Sequence, residues 1–166
     1  DLAIGTNLAQ LPAETPIRWF QYVNIYTKSP VIEQTTPASL LISDTVAQIV
    51  DVELLDQDLD EEELGGNVTW TVARDLPLIA HFTVYFTEND TWETGRVRAG
   101  EDVAPVEFAE LFIPPDTRPP LETFSWISIF PSSLLAERTT PFSSSINDTI
   151  SPVLNVSFLD LDLDLG

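Results

Sequence analysis

Cysteine and methionine are absent from the 166 residues, and histidine occurs once. A chain without cysteine forms no disulfide, so its stability must come from a buried core. Hydrophobic residues make up 43% of the sequence, which is sufficient for a core in a chain of this length. The absence of cysteine is more usual in the cytosol, an indication that must be weighed against the glycosylation motifs described below.

Basic residues are also scarce. Seven Lys and Arg face 27 Asp and Glu, which gives a formal net charge of −20. Nucleic-acid binding requires clustered positive charge, and anionic membrane surfaces repel a chain of this kind. No apolar run approaches the roughly 18 residues that indicate a membrane-spanning helix. We therefore expect no nucleic-acid partner and no membrane insertion, and divalent cations are better suited partners.

Four N-x-S/T motifs indicate N-linked glycosylation, with acceptors Asn67, Asn89, Asn147 and Asn155. Four such motifs in a chain of this length exceed what we expect by chance, and glycans on them would require passage through a secretory route. The chain opens on Asp1 without a signal-like segment, so we expect a mature product or a fragment whose leader has been lost. The motifs outweigh the absence of cysteine and predict an extracellular or cell-surface glycoprotein.

Self-similarity is the strongest signal in the sequence. Residues 33–44 read EQTTPASLLISD and residues 137–148 read ERTTPFSSSIND, an offset of 104 residues. The match extends in both directions, with a two-residue slip at its N-terminal end. The further aligned segments are 11–15 with 113–117, 20–26 with 124–130, 49–52 with 153–156 and 55–60 with 159–164.

A unit of about 100 residues, cut out of register, explains these matches. We predict the C-terminal part of one β-sandwich repeat at 1–50, one complete repeat at 51–150, and the first strand of a following repeat at 151–166. This last segment is alternatively a donor strand that adds to a neighbouring subunit.

The complete repeat has the pattern of an all-β domain. Short runs of alternating apolar and polar residues are separated by turn residues, and most of the 13 prolines lie between the runs. Such spacing is typical of an antiparallel β-sandwich. The seven predicted strands lie at 52–54, 67–72, 81–87, 95–98, 106–112, 124–130 and 140–146.

Within this repeat the residues resemble the fibronectin type III family. Val68-Thr69-Trp70 looks like the family's early strand with a core tryptophan, and Phe82–Tyr85 looks like its third strand. The segment 113–117 (IPPDT) looks like the approach to the sixth strand, which normally begins with a tyrosine; here Phe124 or Trp126 takes that place. The resemblance implies immunoglobulin-like antiparallel β-sandwiches in tandem repeats. Because the integrin-binding Arg-Gly-Asp motif is absent, receptor binding is not carried over.

Aspartates at alternate positions occur in both copies of an acidic segment. Alternate side chains of a strand point to one side, roughly 6.6–7 Å apart, so the intervening leucines would face a core and the carboxylates would form a row. Ca²⁺ would relieve the repulsion within such a row, since it takes six to eight oxygen ligands. A solvated strand face that prevents edge-to-edge aggregation explains the same pattern, and both interpretations stay open. The candidate metal ligands are Asp56, Asp58, Asp60, Asp160, Asp162 and Asp164.

The apolar alternation changes phase by one residue between Leu54 and Leu55, and the second copy repeats this between Phe158 and Leu159. A shift of one residue moves the apolar side chains to the opposite face of a strand. We therefore predict a β-bulge or a crossing between sheets at this point.

Nothing in the sequence singles out a catalytic group. His81 begins a strong predicted strand and is more typical of a strand end than of a catalytic centre, and no nucleophile elbow, phosphate-binding loop or zinc spacing occurs. Trp70 and Trp126 are predicted in the core. Trp19 and Trp92 are candidates for stacking on sugars.

These features together predict an extracellular structural protein and not an enzyme. The repeats would form a filament, a surface fibre or a matrix by head-to-tail β-sandwich assembly. The partners would be other copies in a homopolymer, or further repeats of the same chain. The alternative is an adhesion or carbohydrate-binding ectodomain module.

Overall fold

A computed structural model describes residues 2–91, 95–157 and 159. The chain divides into two compact units, Asp1–Val46 and Ala47–Gly166. In the described part every strand pairing is antiparallel, and the other regular element is a short 3₁₀ turn at Leu76–Leu78. The same part of the chain contains no helix that is long and apolar enough to cross a membrane. The prediction of an all-β, antiparallel fold is confirmed.

Nine strands are distributed over three sheets, with orders β1-β2, β3-β4-β7 and β6-β5-β8-β9. Each of the seven strands predicted for the complete repeat overlaps one of the strands β3 to β9. The strands are β1 (Tyr22–Ile25), β2 (Ala38–Leu41), β3 (Gln48–Asp56), β4 (Leu64–Arg74), β5 (His81–Thr87), β6 (Arg96–Arg98), β7 (Phe108–Thr117), β8 (Trp126–Ser132) and β9 (Phe142–Ser145).

The first unit is built around the hairpin β1–β2. Its strands are four residues each, and none of residues 2–46 is buried. A single two-stranded hairpin is only marginally stable in water, because it has no second layer against which to pack. This unit therefore differs in kind from the second.

The second unit contains one core shared by its two sheets. Alternation along β4 turns Val68, Trp70 and Val72 inward, and β5 contributes Phe82 from the other sheet. The rings of Trp70 and Phe82 meet edge to face, with centroids 5.4 Å apart. This packing is compatible with a β-sandwich. The buried hydrophobic residues that form this shared core are Ile49, Leu64, Val68, Trp70, Val72, Ile79, Phe82, Val84, Phe86, Ala109, Ile113, Phe124, Ile127 and Ile129.

The central strands β5 and β8 are buried on both faces, so their outward polar residues must satisfy one another. The Thr87 and Ser128 hydroxyls are hydrogen-bonded at 2.7 Å, and Ser128 is also bonded to Ser143 on β9 at 2.7 Å. Buried hydroxyl groups cost free energy unless they find partners. These bonds therefore offset the cost of burying hydroxyl groups on the central strands.

The predicted phase change between Leu54 and Leu55 is wrong, because the pairing of β3 with β4 is continuous there, and a bulge lies earlier in the strand instead. The pairing of β3 with β4 shifts between Val50 and Glu53, where Asp51 has a φ of 54°. After this bulge the inward positions continue without interruption to Asp56, which is 7% exposed. The prediction that the leucines of the acidic segment face the core is wrong for Leu55 and Leu59, which are exposed. The strand keeps its phase after Asp51, so the carboxylate of Asp56 is turned inward instead.

Candidate functional site

The hairpin β1–β2 repeats the pairing of the hairpin β8–β9 at the offset seen in the sequence. Every paired residue of the second hairpin carries a number 104 higher than its counterpart in the first. The register of a hairpin is set by the geometry of its turn together with its side-chain pattern, so equal register indicates equivalent hairpins. The pairs are Tyr22–Leu41, Val23–Leu40, Asn24–Ser39 and Ile25–Ala38 in the first hairpin, and Trp126–Ser145, Ile127–Ser144, Ser128–Ser143 and Ile129–Phe142 in the second.

The loops that close these hairpins are also built alike. Ser29 and Ser133 each use one hydroxyl to accept bonds from two loop N–H groups and to donate to a loop carbonyl. An isolated bridge joins Lys28 to Glu33, and its counterpart joins Ser132 to Glu137. The two segments of sequence therefore adopt one local structure.

Matching backbone conformations extend this equivalence beyond the hairpins. Asp51 and Asn155, 104 residues apart, are both left-handed, with φ of 54° and 58°. Asp and Asn tolerate this conformation better than other residues with side chains. At the position of the two-residue slip, Glu14 and Asp116 are left-handed as well, with φ of 59° and 60°.

The two hairpins differ sharply in burial. Val23 and Ile25 are 37% and 62% exposed, whereas their counterparts Ile127 and Ile129 are both completely buried. In the second unit β8 pairs with β9 along one edge and with β5 along the other, and the second sheet covers the inner face of β8. Among the described residues of the first unit, β1 pairs with β2 alone. As far as residues 2–91, 95–157 and 159 show, the first hairpin thus has an open edge and an uncovered apolar face.

We use the name N-terminal hairpin for residues 20–42, which comprise β1, β2 and their connection. Isolated apolar side chains are normal on a protein surface, but this hairpin exposes many of them together. Exposed apolar patches of this kind mark interaction sites. An unpaired strand edge is in addition a template for pairing with another strand. The exposed large apolar residues are Phe20, Tyr22, Val23, Ile25, Tyr26, Val31, Ile32, Leu40 and Leu41.

In the second unit, an arginine packs on the outer side of the hairpin β8–β9, which is equivalent to the N-terminal hairpin. The Arg96 guanidinium sits 4.3 Å from the ring centre of Tyr85 and 4.8 Å from that of Phe130. Its Nη1 is 2.8 Å from Oε1 of Glu137, whose Oε2 accepts a bond of 3.2 Å from the Tyr85 hydroxyl. Burial, together with the charge of Glu137, raises the pKa of Tyr85. Cation, ring and carboxylate form one cluster on the outer side of the sheet.

The N-terminal hairpin carries equivalents of two members of this cluster, one aromatic ring and one carboxylate. Tyr26 stands at the position of Phe130, and Glu33 stands at the position of Glu137. An aromatic ring and a carboxylate in this arrangement are complementary to an arginine such as Arg96. Reasoning from the sequence missed this half-site, although the offset of 104 residues contains the signal.

The predicted metal residues have separate roles in the structure. Asp56 Oδ1 accepts bonds from the N–H groups of Gly65 and Asp58 at 3.0 and 3.2 Å, and its Oδ2 accepts from that of Thr149 at 2.8 Å. These contacts tie the end of β3 to the start of β4 and to the segment that follows β9. Asp56 therefore serves to fix the backbone of this acidic loop, which spans residues 56–63.

Asp58 and Asp60 lie together with Glu63, with one carboxylate oxygen of each residue within 4.8 Å of those of the other two. The Asp116 N–H, 2.8 Å from Asp58 Oδ2, and the Asp60 N–H hold the pKa of Asp58 below its usual value. Glu63 forms an ion pair with Arg118. Ca²⁺ binding stays a prediction. Among the described residues, this trio is the group of carboxylates that could hold the ion. Asp160, Asp162 and Asp164 lie outside the described residues.

The glycosylation acceptors are spread over the second unit. Asn67 is exposed on β4, and Asn147 and Asn155 are exposed outside the strands. Asn89 is half-buried in a turn, where its Oδ1 accepts bonds from the Thr91 N–H and hydroxyl groups at 3.0 and 2.7 Å. Glycosylation itself stays a prediction.

The remaining candidates are one histidine and two tryptophans. His81 Nε2 lies 3.9 Å from Asp102 Oδ2, and the Thr83 hydroxyl and Arg98 donate to Asp102 Oδ1. The Thr83 bond is the main cause that lowers the pKa of Asp102. Trp19 is exposed, with its ring centre 5.8 Å from that of Phe20, and Trp92 lies outside the described residues.

Comparisons with protein-family models, with curated proteins and with solved structures find no significant match for this chain. The functional argument therefore rests on the geometry described above.

Proposed function

We propose that this chain belongs to an extracellular structural protein whose repeats assemble head to tail through completed β-sandwiches. The assembly would be a filament, a surface fibre or a matrix, and we propose no catalytic role. One observation carries the proposal: the N-terminal hairpin has the register of β8–β9, yet the residues equivalent to buried core positions are exposed in it.

Sheet topology supports the finer assignment of the second unit to an immunoglobulin or fibronectin type III-like sandwich. The orders β3-β4-β7 and β6-β5-β8-β9 place consecutive strands in two sheets, with crossings from β4 to β5 and from β7 to β8. Trp70 on the second strand packs in the core, and Phe124 is buried just before the sixth. These are the positions on which the family resemblance rests.

A partner for the N-terminal hairpin must supply what β8–β9 receives from its own unit. It needs a strand of the type of β5 with one edge free to pair with β1, and a facing sheet that brings a large apolar residue such as Trp70. An arginine at the position of Arg96 would meet Tyr26 and Glu33. The strands equivalent to β3 to β7 in a repeat of the same kind, in a second copy or elsewhere in the same chain, have all three features. In the second unit β8 already pairs with β5, so the partner must be a repeat whose own β8–β9 hairpin is displaced or lacking.

Energetics favour such a contact despite the high negative charge. Burying a Val or Ile side chain contributes roughly 1.5–3 kcal/mol, and Val23 and Ile25 are two of several candidates. A net charge of −20 makes two copies repel each other at long range. At 0.1 M salt, repulsion between exposed charges more than about 10 Å apart is largely screened, so assembly should strengthen as the salt concentration rises.

The decisive variant replaces Val23 and Ile25 with threonine. Because their counterparts are wholly buried, we expect this double variant to abolish self-association while the unfolding of the second unit stays unchanged. Val31→Thr is the matched control, since it alters the same hairpin at an exposed residue whose counterpart, Leu135, is also exposed. Sedimentation velocity across a range of protein concentrations measures the outcome. Equal association of both variants would refute the role of this face.

Electron microscopy with and without a calcium chelator tests the assembly and the predicted metal together. Filaments that loosen on chelation would support both assembly and calcium binding. Filaments that are unaffected by the chelator would support assembly and contradict a role for calcium. Dispersed particles under both conditions would contradict assembly into filaments.

Dispersed particles would favour the alternative, an adhesion or carbohydrate-binding module. The observation in its favour is the exposed pair Trp19 and Phe20, which offers an aromatic surface to a sugar ring. Titration of the tryptophan fluorescence with oligosaccharides tests it, with Trp19→Ala as the comparison. The counterpart of Phe20 is the buried Phe124, however, which favours burial in an assembly as the fate of this ring.

A further inference from the structure

The outer face of the three-stranded sheet carries one glycosylation motif at its centre. Asn67 lies on the middle strand β4, opposite Leu55 of β3 on one side and opposite Phe112 of β7 on the other. Directly opposite residues of antiparallel strands have Cβ atoms about 4.5–5.5 Å apart and share a face of the sheet. Asn67 is therefore flanked by two apolar side chains.

Both neighbours are turned to solvent. Leu55 and Phe112 are 59% and 62% exposed, whereas the inward residues of the same strands, such as Ile113 and Val68, are completely buried. Thr69 and Glu110, which are paired next to Asn67, are polar, and a second exposed phenylalanine, Phe108, lies farther along β7. Phe112 is the exposed ring that lies directly beside the acceptor amide.

We propose that Asn67 carries an N-linked glycan whose first N-acetylglucosamine packs on the ring of Phe112 and covers Leu55. The inference rests on the secretory route contained in the proposed function. Asn67 Nδ2 bonds to the anomeric carbon of the sugar, the bond from that carbon to the pyrophosphate of a lipid-linked oligosaccharide donor breaks, and one amide proton is released. A sugar ring has an apolar C–H face that suits an aromatic ring, and its hydroxyl groups keep the modified surface hydrated.

Local geometry leaves the amide available. The contact of Asn67 Nδ2 with Glu110 Oε2 is long, at 3.5 Å, and the modified amide keeps one N–H group that can donate to it. Thr69, the third residue of the motif, is exposed on the same face of β4.

Phe108 provides a matched control. It lies on the same strand and the same face, is 74% exposed, and is opposite Thr71 instead of Asn67. A glycan on Asn67 that packs on its direct neighbour should be sensitive to Phe112 and indifferent to Phe108.

The experiment compares the full chain secreted from a eukaryotic host with the same chain made in bacteria, where the motif is not modified. Mass spectrometry of the secreted protein measures occupancy at Asn67. Thr69→Ala removes this glycan alone, and its effect in the bacterial protein measures the substitution itself. After that correction, we expect loss of the glycan to lower the folding equilibrium constant roughly two- to fivefold, the range of a cross-strand pair.

The same measurement is repeated with Phe112→Thr and with Phe108→Thr. The glycan effect should vanish with Phe112→Thr and persist with Phe108→Thr. An unmodified Asn67 in the secreted protein, or an effect that survives Phe112→Thr, would overturn the inference. An occupied Asn67 coupled to Phe112 in a chain that never associates would support this inference and contradict the proposed assembly, so the two fail separately.

Discussion

Replacement of Asp56 by alanine should be among the most damaging single changes in the second unit. Asp56 is 7% exposed, and its carboxylate accepts hydrogen bonds from the backbone N–H groups of Gly65, Asp58 and Thr149 at 3.0, 3.2 and 2.8 Å. A hydrogen bond to a charged group contributes about 1.5–3 kcal/mol, and an orphaned buried donor costs about 1–3 kcal/mol. Since the three contacts share one carboxylate and are not additive, we expect a loss of about 3–5 kcal/mol in the free energy of unfolding.

Urea unfolding followed by tryptophan fluorescence measures this loss, since Trp70 lies in the core of the same unit. Asp60→Ala is the control, because Asp60 belongs to the same acidic run but is exposed, and we expect it to change stability by less than about 0.5 kcal/mol. Asp56→Asn, which keeps one acceptor oxygen, should fall between the two. If Asp56→Ala proves as mild as the control, the hydrogen bonds described here do not hold the loop and the structural role of Asp56 is refuted.

Two further outcomes follow from the same loop. Gly66→Ala should destabilise the unit severely, because Gly66 has a φ of 132° and a Cβ there would collide with the carbonyl oxygen of Leu55; an unfolding midpoint close to wild type would contradict this. Asp58→Asn should cost stability at neutral pH and progressively less as the pH falls below about 4. The pKa of Asp58 is lowered in the folded state, so its contribution is present above the unfolded pKa and is lost as the pH falls through the folded one. Urea midpoints of both proteins between pH 2 and 7 test this, and a gap independent of pH would contradict it.

The positions of the strands could be predicted because the relevant signal is local. Alternation at 67–72 and 81–87 decides which side chains face a core, whichever strands lie beside them. Prolines were a poorer guide to where a strand stops, since β7 continues through Pro114 and Pro115 and β8 continues through Pro131. The offset of 104 residues was equally visible, and it reappears in the register of the two hairpins.

Local pattern was insufficient for the acidic segment. An alternation of Leu and Asp predicts leucines inside, but the bulge at Asp51 sets the phase of β3 upstream of that segment. Asp56 is consequently inside, and its burial is tolerated because backbone N–H groups of β4 and of the segment after β9 converge on it. Partners from distant parts of the chain cannot be inferred from the acidic segment alone.

Sequence by itself thus determined an all-β chain, its strand positions and its internal similarity, because each of these follows from residue identity and spacing. Only the tertiary structure decided which copy of the hairpin is covered. Val23 and Ile127 stand at equivalent places in equivalent hairpins, yet one is exposed and the other wholly buried. The difference arises because burial depends on the strand at the free edge and on the facing sheet, and these come from elsewhere in the fold.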